Sequence, residues 1–186
     1  MKRLALLCAA VLSLAGCSSQ SPGLQYYLLH SPAQSLEQHD DAIDATFDQL
    51  LLPEYLKQRS LAIQTGPTTL HFSPRHVWAE PVANSFVQTL TTALTSEGIN
   101  IIPSARRAMA EGPATISVQI DDMISTWQGD VILKGRFWVD TAEGVGVSQH
   151  FDYRMPLQQD GFSHAVESMR SLISRLSADI AAHVKR

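Results

Sequence analysis

Cysteine is nearly missing from this chain of 186 residues: it has two, Cys8 and Cys17. Both sit near the amino terminus, so the body that follows has no disulfide framework to lean on and must fold on its core alone. No cysteine is available there as a metal ligand either. Charge is sparse, at 17% of residues, and the balance is acidic, with 14 basic residues against 18 acidic ones. That sign argues against nucleic acid as a partner. The basic residues are scattered, apart from the pairs Arg106-Arg107 and Lys185-Arg186, and neither pair makes a polybasic patch for lipid headgroups. There is no apolar run of the roughly 20 residues that a membrane-spanning helix needs. Repeats and low-complexity segments are absent. So is a Gly-x-Ser-x-Gly elbow for a nucleophilic serine, and Gly144-Val145-Gly146 is too short for a phosphate loop.

What is present begins with the first twenty residues. Lys2 and Arg3 supply a positive start, Leu4 to Leu14 an apolar core of signal-peptide length, and Ala15-Gly16 the small residues that a processing peptidase requires. Leu14-Ala15-Gly16-Cys17 resembles a bacterial lipobox, in which the cysteine sulfur is alkylated with diacylglycerol and the chain is cut before it. Residues 1–16 are therefore expected to be a cleaved signal peptide, and residues 17–23 a lipidated start with a short flexible tether. Residues 24–186 are expected to form one periplasmic domain. Losing Lys2 and Arg3 leaves 12 basic against 18 acidic residues, a formal charge of −6. Each buried methylene contributes about 0.8 kcal/mol, so diacylglycerol plus an N-acyl chain on Cys17 would make the anchor permanent. By resemblance to the sorting rule of two-membrane bacteria, Ser18 in place of aspartate implies the outer membrane. The tether Ser18 to Gly23 reaches only about 20 Å when stretched, which holds the body close to the periplasmic leaflet.

Along the chain, Leu24 to Leu29 reads as a first strand, and His30 to Ala45, with Pro32 and an acidic cluster, as a loop. Thr46 to Leu52, Ser60 to Thr65 and Thr68 to Phe72 are strand candidates, the last two separated by the turn signal Gly66-Pro67. Phe86, Leu90 and Leu94 recur at helical spacing up to Gly98. Pro81 suits the first turn of that helix, and Glu80 complements its dipole. Ile99 to Ile102 reads as a buried strand. Ile116 to Ile124, Val131 to Val139 and Val145 to Tyr153 alternate apolar with polar residues, the pattern of an antiparallel meander. Asp122 falls on the inward phase, which requires a bulge or a sheet edge there. Finally Phe162, Val166, Met169, Ile173, Leu176, Ile180 and Val184 draw one stripe down a helix of about six turns. The expected class is α+β: a single-domain two-layer sandwich, with a largely antiparallel sheet and two long amphipathic helices packed on one face.

The seven histidines point to no site. His71 and His76 flank Pro74, which breaks the helical spacing that would bring their rings together, so surface histidines are the better reading and no metal is expected. Trp127 and Trp138 fall on the polar phases of neighbouring strands. If those strands pair, both tryptophans lie on the outer face, either as a contact surface for protein or lipid or as a cross-strand pair under a second cover.

Three motifs add a resemblance. They are Tyr26-Tyr27-Leu28-Leu29, the turn Leu52-Pro53-Glu54-Tyr55-Leu56, and Trp78-Ala79-Glu80-Pro81 at the start of the first helix. Together with the lipobox they resemble the ABC-type transport auxiliary lipoprotein family, the PqiC/YmbA group. Gln58-Arg59-Ser60 departs from the Asp-Arg-Pro that often follows the Leu-Pro-x-Tyr-Leu turn there. The resemblance implies fold roles for Pro53, Tyr55, Trp78, Glu80 and Pro81. It also implies a non-enzymatic accessory, without a cofactor, of an envelope lipid transport system of the mammalian-cell-entry (MCE) type. Such a lipoprotein would dock or terminate a periplasm-spanning MCE-domain protein at the outer membrane, and a closed homo-oligomeric ring could encircle that conduit. A periplasmic carrier or chaperone that encloses acyl chains is the alternative, and a lipid-anchored hydrolase a third reading.

Overall fold

The alternating stretches pair into one eight-stranded sheet in a computed structural model that describes residues 23–31, 41–103 and 112–185. Cys17, the signal-like segment, most of the tether and Arg106-Arg107 lie outside the described residues. The strands are β1 (Gln25–Tyr27), β2 (Ile43–Leu51), β3 (Ser60–Gly66), β4 (Thr69–Trp78), β5 (Ile99–Ile102), β6 (Ala114–Ser125), β7 (Asp130–Asp140) and β8 (Gln149–Pro156). A 3₁₀ turn, Glu54–Lys57, joins β2 to β3. The helices are α1 (Val82–Ser96) and α2 (Phe162–Val184).

Both helices lie on one face, and their stripes close the core. Phe86, Leu90 and Leu94 of α1 and Ile173, Leu176 and Ile180 of α2 are completely buried. They cluster with Ile116, Val118 and Ile120 of β6 and Leu133 and Phe137 of β7, each such side chain contributing about 1.5–3 kcal/mol by leaving water. Gly98, at φ 75°, ends α1 as its position suggests. On α2, the Tyr153 hydroxyl donates to Asp179 and Arg175 covers the same ring at 4.7 Å, which fixes the helix against β8.

The sheet is mixed and mostly antiparallel. The long ladders β6–β7, β7–β8 and β3–β4 are antiparallel. Parallel pairing, which the sequence does not announce, joins β1 to β4, β2 to β5, and both β2 and β3 to β6. The bulge expected at Asp122 is present, between Ile120 and Asp122. It moves Asp122 out of the core phase and brings Met123 into it.

Three expectations need correction. The strand read as Thr68 to Phe72 continues through Pro74 to Trp78. Its register against β3 jumps from Phe72↔Ala62 to Val77↔Ser60, so Pro74 falls in the irregularity, where no ladder donor is lost. There the Ser73 hydroxyl accepts the His76 N–H at 3.1 Å. The strand read from Val145 starts only at Gln149. Val145 and Val147 keep the alternation but stand in a loop, 86% and 79% exposed, because Gly146 packs so tightly on the Val139 carbonyl that a Cβ would overlap it. Trp127, expected on a strand, lies in the turn between β6 and β7, for which Thr126 N–H to the Asp130 carbonyl is the closing bond.

The sheet is forked. On one side of β6, β2 runs alongside as far as Leu51↔Gln119, and β3 takes over only at Ile63↔Ser125. Between them β6 has no strand neighbour on that side among the described residues. The Leu-Pro-x-Tyr-Leu turn fills this gap. Pro53 accepts the Leu56 N–H at 3.1 Å, Leu56 is buried in the core, and the Tyr55 hydroxyl accepts the Met123 N–H at 2.9 Å. A buried backbone donor thus finds a side-chain acceptor where a strand would otherwise supply one. Tyr55→Phe removes that acceptor and should lower stability by about 1–3 kcal/mol, read as a fall in the urea midpoint. An unchanged midpoint would mean that the phenol does not carry the fork.

Candidate functional site

The motif residues meet where β1 leaves the sheet and α1 begins. Trp78, the last residue of β4, is buried, and its N–H donates to the Arg59 carbonyl at 2.8 Å. The Ala79 N–H donates to the Tyr27 carbonyl at 2.8 Å, which joins this strand end to β1. Pro81 stands one residue before the first turn and receives the Asn84 N–H on its carbonyl at 3.0 Å. The Glu80 carboxylate accepts the Ser85 hydroxyl at 2.6 Å and lies 3.0 Å from His30 Nδ1, a contact without hydrogen-bond alignment. Arg170 of α2 closes the joint from the other side, donating to the carbonyls of Leu29 at 2.7 Å and Leu28 at 2.9 Å. Nothing local in the sequence marks Arg170, because its partners lie 141 and 142 residues away.

Two histidines read as surface groups are structural instead. His30 faces Glu80, and His76 Nδ1 lies 2.8 Å from the Tyr27 hydroxyl with its ring stacked 4.3 Å over Phe162. Among the described residues, no three His, Cys, Asp or Glu side chains converge as metal ligands would. No described helix is long and apolar enough to cross a membrane.

Trp127 and Trp138 do not share a surface. Trp138 pairs with Ser117 and is half-buried on the outer face, since its neighbour Phe137 points into the core. Trp127 is 53% exposed at the hairpin end, roughly 25 Å further along at 3.3 Å per residue. Beside it lies a groove of about 440 Å³ with walls from Ile63, Ser125, Leu157, Phe162 and Ala165. The Ser125 hydroxyl is buried there without a partner among the described residues. A hollow of about 500 Å³ lies by Glu54, Tyr55, Arg59 and Phe72, with two charged residues on its walls where the groove has one, Asp160.

Asp122 lies beside the fork, its carboxylate 3.4 Å from the Tyr55 hydroxyl. Burial pushes its carboxyl above the usual range; the Tyr55 bond and the Lys134 charge oppose that shift without cancelling it. Burial likewise raises the Tyr55 phenol, which stays protonated at any physiological pH. A raised carboxyl binds more protons folded than unfolded, so stability falls as pH rises from the ordinary carboxylate pKa, about 3.9, through the raised one. Asp122→Asn should lessen the fall of the urea midpoint as pH rises above the ordinary carboxylate pKa of about 3.9; a variant with the same slope as the parent would refute it.

Residues 26–181 match the family described as ABC-type transport auxiliary lipoprotein component. A comparison with curated proteins finds no match. Among the solved structures that this chain resembles, two illustrate the shared fold. One, described only as an uncharacterized protein, is 18% identical with a TM-score of 0.72, covering 88% of this chain and 99% of its own. The other, protein XCC0632 from Xanthomonas campestris of the family DUF330, is 9% identical with a TM-score of 0.58, covering 86% and 90%. The family match spans the described domain from β1 to the last turns of α2, and the chain belongs to the ABC-type transport auxiliary lipoprotein component family.

Proposed function

We propose that this protein is a non-enzymatic accessory subunit of an MCE-type envelope lipid transport system, docking or terminating a periplasm-spanning conduit at the outer membrane. The observation that carries this reading is the family match over residues 26–181. In it, Cys17 carries the diacylglycerol and N-acyl chains, residues 1–16 are removed, and Ser18 directs the protein to the outer membrane. The residues of the family motifs support an accessory role by what they touch. Tyr55 holds a backbone N–H, Glu80 a helix start, and Trp78 the core, so each serves shape rather than reaction. Energy for transport then comes from a partner ATPase. A carrier that encloses acyl chains is not favoured, because the core between sheet and helices is filled by Phe86, Leu90, Ile173 and their neighbours.

Two measurements test this. Palmitate labelling should mark the parent protein and leave Cys17→Ala unlabelled; a parent that takes no label, or a variant that labels as strongly, would remove the anchor from the reading. Photo-crosslinking in intact cells from the positions of Trp138 and Val145 should capture a periplasm-spanning transport protein, whereas capture of abundant porins alone would sink the docking role.

A further inference from the structure

The direction of β1 decides which end of the domain a tethered amino terminus can bring to a membrane. Tyr26 pairs with Val77, and Val77 with Ser60. Ser60 stands three residues before Ile63, which pairs with Ser125 near the end of β6. Tyr26 is therefore close to level with Asp122, and β1 runs away from the hairpin end of β6. Gly23 and Leu24, which precede β1, therefore lie toward the hairpin end. Six tether residues reach about 20 Å. The opposite end, at Ala114, lies roughly 26 Å below the level of Tyr26 at 3.3 Å per residue, and the tether would have to reverse to approach it.

The end within reach carries the chemistry of a membrane interface. Trp127 stands 53% exposed on a stiff turn, held by Thr126 N–H to the Asp130 carbonyl at 2.7 Å and Gly129 N–H to the Thr126 carbonyl at 3.1 Å. Leu70, on β4 near the adjoining Gly66-Pro67 turn, and Leu24, at the tether's end, are also exposed. The groove opens beside Trp127; its walls are mostly apolar, with Asp160 on one of them, and the buried Ser125 hydroxyl has no partner among the described residues. The nearby Asp130 carboxylate is paired with Arg154 at 2.7 Å. An indole with an apolar body and one N–H donor suits the headgroup level of a bilayer.

We infer that the hairpin end, with Trp127 at its tip, is the face this domain lays against the bilayer that holds its anchor, leaving the Val145–Val147 loop at the far end pointing away. This rests on the reading that Cys17 is lipidated.

The test uses the full lipidated protein in vesicles of phosphatidylethanolamine and phosphatidylcholine whose acyl chains are brominated. Co-flotation reports the anchor, and tryptophan fluorescence reports the orientation. Flotation with strong bromolipid quenching that is lost in Trp127→Phe is the expected result. Adding Val145→Trp to that variant should give an indole quenched by aqueous iodide and not by the lipid. Flotation with Trp127 open to iodide and untouched by bromine overturns the inference while leaving the anchor intact. So does shielding of Trp127 that arises only after an envelope protein is added, which would assign this end to a protein partner. Failure to float defeats the lipidation reading, and this inference with it.

Discussion

Everything about the shape of this domain depends on one strand having two neighbours on the same side. β6 is long enough to pair with β2 along its first half and with β3 at its last residue, and the sheet divides where one ends and the other begins. A backbone edge left open inside a protein is expensive, so the division is tenable only because the Tyr55 hydroxyl receives the Met123 N–H. The bulge at Ile120 and Asp122 sits at the same place, allowing a carboxylate to leave the core phase. Tyrosine, bulge and fork are one solution to one hydrogen-bonding problem.

The fork has a consequence for the whole molecule. It shifts the arm formed by β3, β4 and β1 toward the hairpin end, relative to the arm formed by β2 and β5. The first strand enters from that end because β1 is parallel to β4, β4 antiparallel to β3, and β3 parallel to β6. Arg170, Ala79 and the Glu80 cluster then hold its exit against both helices. The family motifs thus mark the joints of the fold, which agrees with a protein that acts by presenting surfaces.

Much of the architecture is legible from local pattern. The α2 stripe, the β6–β7 hairpin and the end of α1 at Gly98 follow from periods of 3.6 and 2 and from a glycine with positive φ. The bulge follows from the cost of burying the Asp122 charge. The same reasoning fails where a pattern continues without its cause. Val145 and Val147 keep the alternation of a strand in a loop shaped by Gly146, and Trp127 keeps it into a turn. The strand read only as far as Phe72 runs on through Pro74, which falls in a register irregularity.

The sequence by itself determined both helices and most of the extended segments, which faces are apolar, and where a cysteine follows a signal-like run. These are properties of neighbours along the chain. Tertiary structure alone decided that β1 meets β4, and β2 and β3 meet β6, in parallel, that Tyr55 answers a donor 68 residues away, and that Trp127 and Trp138 stand far apart. Backbone donors and acceptors are alike at nearly every position, so no side-chain pattern names the strand they will meet. That choice is made when the helices close over one face and only one set of registers leaves the core filled.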